Sequence, residues 1–268
     1  MDVDWEFPVT GGPLEHTRRP EDRHTMTQLV GEFRRQLGPD YLVTAALPAG
    51  RLQAEGVYDP AASYELAELG AALDLVILMT YDMGTGFSPV ATFNAPMAEV
   101  PDDPLDPALR RWNNVTGAVD RFLADGVPAD KLVLGVPFYG RGFRVAAPGA
   151  HDGLYQPYTD TVEVGDWRDI LAGPLSEPGW RRLRHPVARS PWLYHPAREV
   201  FVSYEDAESI GERARFAADR GLRGVFCWHL AGDDDDHALL AAMAAPFEER
   251  DGAPDLERGG APGLGELP

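Results

Sequence analysis

Hydrophobic and polar residues alternate from the second position of the chain. Asp2, Asp4 and Glu6 share one parity and Val3, Trp5 and Phe7 the other. An extended segment therefore sends three acids to one face and three apolar side chains to the opposite face. Pro8 ends that strand, because it has no N–H to give to a ladder. The period then becomes helical. Met26, Leu29, Val30, Phe33 and Leu37 recur at helical spacing ahead of Gly38-Pro39, which predicts a helix closed by that pair. Residues 41–47 form a short apolar run and read as a buried strand. Residues 61–72 read as a helix with Leu66, Leu69 and Leu73 on one side. The same rhythm continues with a strand at 75–81 and a helix marked by Val115, Val119, Phe122 and Leu123. After it come a strand at 131–137, an alanine-rich helical run that follows Ser203-Tyr-Glu-Asp206 and continues to Arg220, a buried strand at 224–228 and a helix at 238–247.

Strand and helix thus alternate five times, which predicts a parallel sheet with crossover helices. The polar residues gather after the strands' C-terminal ends: Glu6, Tyr81-Asp82, Tyr139 to Arg141, and Trp228. In a (β/α)₈ barrel that face carries the active site. Five strands cannot close an eight-stranded barrel, so the pattern fits an open doubly wound sheet or a barrel lacking three units. The rhythm fails between 143 and about 200, where Tyr, Trp, Pro, Arg and His mix without a helical period. This stretch reads as an inserted subdomain of short strands. The domain expectation is a barrel part at 1–142 and 199–249, an α+β insertion at 143–198, and a Gly/Pro-rich disordered tail at 250–268. The loop at 83–110 is long enough to be functional.

Composition narrows the partners. The chain has 268 residues, 44% hydrophobic and 25% charged, so a sizeable core is available. Its formal charge of −19 argues against nucleic acid or an anionic membrane, both of which need a basic surface. No stretch is long and apolar enough to span a bilayer. The lone Cys227 cannot form an internal disulfide and reads as a buried thiol. The chain opens directly on a strand, without a signal peptide. A strand at residue 1 leaves a sheet edge unpaired, so upstream sequence is expected to be missing.

Asp4 and Glu6 carry the candidate chemistry. Two close carboxyls cannot both ionise freely, so one keeps its proton to higher pH. A protonated glutamic acid is what protonation of a leaving oxygen requires. The alternative is a carboxylate site for Mg²⁺ or Ca²⁺. Other acids lack a converging spacing, and no metal or cofactor is expected. His16 and His24 read as loop residues, and the acidic run Asp233 to Asp236 as a helix cap. Asn114-Val-Thr116 is a formal glycosylation triplet at a helix start. Trp167, Trp180 and Trp192 fit either a cleft or the insertion's core, whereas Trp5 should point away from Glu6.

Asp2-Val-Asp-Trp-Glu-Phe-Pro8 resembles the signature of glycoside hydrolase family 18, the chitinases. Asp2, Asp4 and Glu6 match the last three acids of its aspartate-x-x-aspartate-x-aspartate-x-glutamate pattern. Met79-Thr-Tyr-Asp82 with Asn94-Ala-Pro96, Gly135-Val-Pro-Phe-Tyr-Gly-Arg141 and Gly224-Val-Phe-Cys-Trp228 resemble the family's sixth-, seventh- and eighth-strand motifs. The resemblance implies a TIM (β/α)₈ barrel of which about the last five units are present, with a small α+β insertion before the last strand. It implies retaining, substrate-assisted hydrolysis of β-1,4-linked N-acetylglucosamine polymers. Glu6 would be general acid and base. Asp4 would orient the substrate's acetamido group and Asp2 would share a proton with Asp4. Tyr81 would donate to the acetamido oxygen and Asp82 would bond the sugar. Trp228, Met79, Tyr139, Arg141 and Phe7 would bind the sugar chain, Trp228 as a stacking floor. The implied partner is chitin or its oligosaccharides, and the full-length parent would be a secreted monomer. A lectin-like binder on the same scaffold and an inactive fragment are the alternatives.

Overall fold

The computed structural model describes residues 1–12, 15–50, 59–147, 149 and 151–248. The tail expected at 250–268 lies outside the described residues. The strands of the first half are β1 (Asp2–Val3), β2 (Thr44–Pro48), β3 (Leu75–Met79) and β4 (Leu132–Pro137). Between them lie the helices α1 (Asp22–Leu37), α2 (Pro60–Ser63), α3 (Leu66–Ala72), α4 (Pro107–Arg110) and α5 (Val115–Ala124). Next come the strands β5 (Arg141–Val145) and β6 (Tyr158–Val162), then the helix α6 (Trp167–Ala172). They are followed by the strands β7 (Arg181–Arg184), β8 (Pro191–His195) and β9 (Val200–Ser203). The chain finishes with α7 (Ala207–Asp219), β10 (Gly224–Trp228) and α8 (Ala238–Glu248).

One sheet is wholly parallel, in the order β1-β2-β3-β4-β10. Its two faces differ. In β3, Val76 and Leu78 are fully buried while Leu75, Ile77 and Met79 are only half-buried. Leu78 is in register with Leu47 on one side and Leu134 on the other, so these three form one layer. Helices cover that face with Met26 and Val30 of α1, Leu69 of α3, Val119 and Phe122 of α5 and Ile210 of α7. Each such fully buried side chain contributes about 1.5–3 kcal/mol relative to exposure. The opposite face, with Ala46, Ile77, Met79 and Phe226, forms the floor of an open cavity of about 920 Å³.

The first strand pairs over only two residues, Asp2 with Thr44 and Val3 with Ala45. The expected alternation nevertheless continues past the ladder: Val3 and Phe7 are buried and Trp5 half-buried, while Asp2, Asp4 and Glu6 are exposed to the cavity. A side-chain bond takes over from the ladder, since the Tyr64 hydroxyl donates to the Trp5 carbonyl at 3.0 Å. The helix expected at 61–72 is broken into α2 and α3. Glu65 leaves helical geometry with φ −87° and ψ 80°, beside the fully buried Tyr64.

The second sheet is antiparallel, in the order β6-β5-β9-β8-β7. It runs from Arg141 to Ser203 and starts four residues after β4 ends. Phe143, Trp192, Tyr194 and Phe201 form its core together with Phe93 of the long loop. Helix caps fill the polar runs between elements. Asn114 is buried and caps α5: its Oδ1 accepts from the Gly117 N–H at 2.8 Å, and its Nδ2 donates to the Arg110 and Arg111 carbonyls. Its amide is therefore occupied rather than presented for glycosylation. Asp233 accepts from the Leu239 and Leu240 N–H groups at the start of α8. No described helix is long and apolar enough to cross a membrane.

Candidate active site

Asp2, Asp4 and Glu6 stand along one wall of the cavity, because the parity that buries Val3 and Phe7 turns the acids inward. The Asp4 carboxyl neighbours that of Glu6 closely enough to share a proton with it. The Glu6 carboxyl is pushed up to about 7, first by burial and then by the neighbouring charges of Asp4 and Asp82. Its face toward the cavity is open to solvent, so it is the protein on its flanks that desolvates it. Asp2 directs its hydrogen bond elsewhere, accepting from the Thr44 hydroxyl.

The facing group comes from the ends of β3 and β4. Tyr81 is buried, and burial, followed by the charges of Asp82, Glu6 and Asp4, holds its phenol well above the ordinary range. Tyr81 is therefore a proton donor at any working pH. Room for its ring depends on Gly135 of β4. A Cβ there would lie 2.6 Å from the Phe226 ring, 2.7 Å from the Leu78 carbonyl and 3.0 Å from the Tyr81 ring. Asp82 follows in a left-handed conformation, φ 57°. Its Oδ1 accepts from the Tyr139 hydroxyl at 2.8 Å and from Arg141 Nε at 2.9 Å, with Arg141 Nη2 on the same oxygen. The Arg141 guanidinium also lies over the Tyr139 ring, 5.1 Å from its centre. Burial, then the charge of Asp82, holds the Tyr139 phenol protonated. Trp228, 55% exposed at the C-terminal end of β10, presents its ring to the cavity, and Met79 lies on the floor.

Nine of the ten residues singled out in the sequence line this one cavity. Phe7 does not join them. It is buried in the core behind the acids, because the alternation that aims Glu6 into the cavity aims its neighbour away. Trp167 and Trp192 are also buried. Trp167 Nε1 donates to Asp234 Oδ2 at 2.8 Å, and Trp192 packs on Phe93. Cys227, expected to be buried, is half-buried and touches the cavity. Burial and the charge of Asp233 push its thiol up, so it stays protonated. Among the described residues, no group of three or more His, Cys, Asp or Glu is arranged to hold a metal ion.

Comparison with known proteins places the chain in a family. Residues 1–233 match the sequence profile of Glycosyl hydrolases family 18. The chain belongs to that family. Chitinase A1 of Niallia circulans is 36% identical over 255 residues, an overlap that takes in 87% of this chain and 34% of that protein. Chitinase B of Serratia marcescens is 27% identical over 296 residues, covering 94% of this chain and 58% of its own length. The chain thus spans about a third to three-fifths of these curated relatives. A chitinase structure from Bacillus thuringiensis superposes with a TM-score of 0.81 at 29% identity, over 97% of this chain and 44% of that one.

Around this family 18 site the structure adds residues that the motifs did not mark. Asp166 and His229 line the cavity and pair across it, Nε2 to Oδ2 at 3.2 Å. His229 follows Trp228 at a strand's C-terminal end, a position that sequence reasoning could have flagged. Asp166 lies between β6 and α6, in the stretch where no period marks the register. Asn94, placed in the sequence only as part of a loop motif, is fully buried against the backbone of Asp82.

Proposed function

We propose that the chain carries the catalytic cleft of a chitinase that hydrolyses β-1,4-linked N-acetylglucosamine polymers with retention and substrate assistance. The observation that carries this reading is the Glu6–Asp4 pair: a carboxyl that keeps its proton to about 7, beside a second carboxyl, on a cavity that Tyr81 and Asp82 also line. Glu6 gives its proton to the glycosidic oxygen as the bond to the anomeric carbon breaks. The substrate's acetamido oxygen forms the new bond to that carbon, giving a cyclic oxazolinium ion. Asp4 accepts the acetamido N–H and stabilises the positive charge, while Tyr81 donates to the acetamido oxygen and orients it. Glu6, now ionised, takes a proton from the water that opens the ring. Asp2, bonded to Thr44, fixes the start of the acid wall. Trp228 stacks under the apolar face of the reacting sugar, and Arg141 and Tyr139 hold Asp82 toward the sugar hydroxyls.

The scaffold in this reading is the second part of a (β/α)₈ barrel. Its five parallel units correspond to the fourth to eighth, and the antiparallel sheet is the insertion before the last. Two features support it: the linear strand order, and an inner sheet face that lines an open cavity. The substrate is an extracellular polymer, so the parent would be secreted. A solved relative, an Ostrinia furnacalis Group II chitinase catalytic domain 26% identical to this chain, binds a chitooligosaccharide, which agrees with the substrate class.

The test is turnover of a fluorogenic N-acetylglucosamine oligomer by the chain and by Glu6→Gln, with the anomer of the first product read by NMR. Loss of turnover in the variant and a β-anomeric product are expected. Near-unchanged turnover in Glu6→Gln would remove Glu6 from the mechanism. Binding without turnover by the unmutated chain would establish the lectin-like alternative.

A further inference from the structure

We propose that Asn94 is a positioning residue for Asp82, locked in place by Ser203 and by a buried Arg213–Glu205 pair. The inference rests on Asp82 being part of the site. Asp82 adopts a left-handed backbone, φ 57°, a region uncommon outside glycine though more accessible to aspartate than to most residues, and hydrogen bonds to its neighbours hold it there. Asn94 supplies that hold twice. Its side-chain Oδ1 accepts from the Asp82 N–H at 2.9 Å, and its carbonyl accepts from the Met83 N–H at 2.9 Å.

Asn94 is itself tied down. It is fully buried, and its N–H donates to Ser203 Oγ at 2.9 Å. Ser203 lies in β9 directly opposite Arg141 of β5, and Arg141 is the residue whose guanidinium grips the Asp82 carboxylate. The contacts thus form a closed ring, in which Asp82 is held by backbone from one side and by side chain from the other. The next carbonyl, that of Ala95, accepts from Arg213 Nη2 and from Ser190 Oγ. Arg213 is wholly buried, bonded to Glu205 at 2.9 Å and to the Ser209 carbonyl at 3.0 Å. A buried guanidinium whose donors reach the Ala95 carbonyl of the loop, Ser190 Oγ, the Ser209 carbonyl of α7 and the Glu205 carboxylate fixes that loop's position relative to α7. The long loop is therefore anchored where it meets Asp82.

The experiment combines two measurements. Amide hydrogen exchange on the free protein should show Asp82 and Met83 protected in the unmutated chain, with both exchanging at least tenfold faster in Asn94→Ala. A double-mutant cycle then separates positioning from bulk destabilisation. Asn94→Ala alone should lower kcat by roughly 100-fold with KM changed far less. In an Asp82→Ala background the same substitution should have little further effect. Additive losses, or unchanged exchange at Asp82, would overturn the proposal. If Asn94→Ala does not fold, Ser203→Ala takes its place with the same expected exchange. Should the unmutated chain not turn over substrate, the hydrolase reading fails separately. The exchange measurement needs no substrate, and the cycle is then read on chitooligosaccharide binding.

Discussion

In the proposed mechanism Glu6 is an acid in one step and a base in the next, and a carboxyl pushed up to about 7 has two measurable consequences. Protonated Glu6 is the active form for the first step, so kcat/KM should fall about tenfold per pH unit above about 7. A pH–rate profile checks this, and a flat profile to pH 9 would count against Glu6 as the acid. The second consequence concerns stability. Between the ordinary glutamate value of 4.5 and about 7 the folded chain holds a proton that the unfolded chain has lost. Stability therefore falls as pH rises through that window. Glu6→Gln removes this loss, so its melting temperature should exceed that of the unmutated chain at pH 8 and converge with it at pH 4. The same residue scale shows how the sequence could mislead. Strict alternation at Asp2 to Phe7 announced the acids, but assigning Phe7 to the sugar as well went against the same rule. The structure buries Phe7.

Elements were legible where one periodicity ran unopposed. The last strand has the bounds its apolar run suggested, Gly224–Trp228. The opening strand was legible as a face but not as a ladder, because backbone pairing depends on β2 and stops at Val3. The break between α2 and α3 was illegible because it answers to a tertiary contact, Tyr64 to the Trp5 carbonyl. Asn114 was legible as a motif but not in its role, which is capping α5. Asn114→Ala should cost about 1–2 kcal/mol in urea unfolding. Expression in a secretory eukaryotic cell should leave Asn114 unmodified by mass spectrometry. Gly135→Ala offers a further check on β4. Its added methyl crowds the Phe226 ring, the Leu78 carbonyl of β3 and the Tyr81 ring, so turnover should drop severely and thermal stability should fall with it.

At the scale of the molecule, the five-unit count and the changed rhythm after β4 could be read from the chain. The way the antiparallel sheet adjoins the cavity could not, since Glu163 and Asp166 reach the wall from beyond β6, with Asp166 bridged to Tyr139. Among the described residues, β1 and β10 end the parallel sheet without a further strand, and such edges favour strand pairing between molecules. Sedimentation velocity over a concentration series should therefore show association that grows with concentration. A single monomeric species throughout would mean that the edges are protected.

The place where the two sheets meet has a consequence for anyone who would exchange parts of this protein. Arg141 opens β5, yet its guanidinium belongs to Asp82 at the end of β3. Ser203 closes β9 opposite it and holds the loop behind that aspartate. Both ends of the segment that builds the antiparallel sheet are thus tied to Asp82 and its loop, and on the proposed reading the insertion is not a cassette. A chimera that grafts a relative's insertion must splice inside β5 and β9, keeping Arg141 and Ser203 from the host, or it carries away the supports of the site along with the cleft wall it meant to replace.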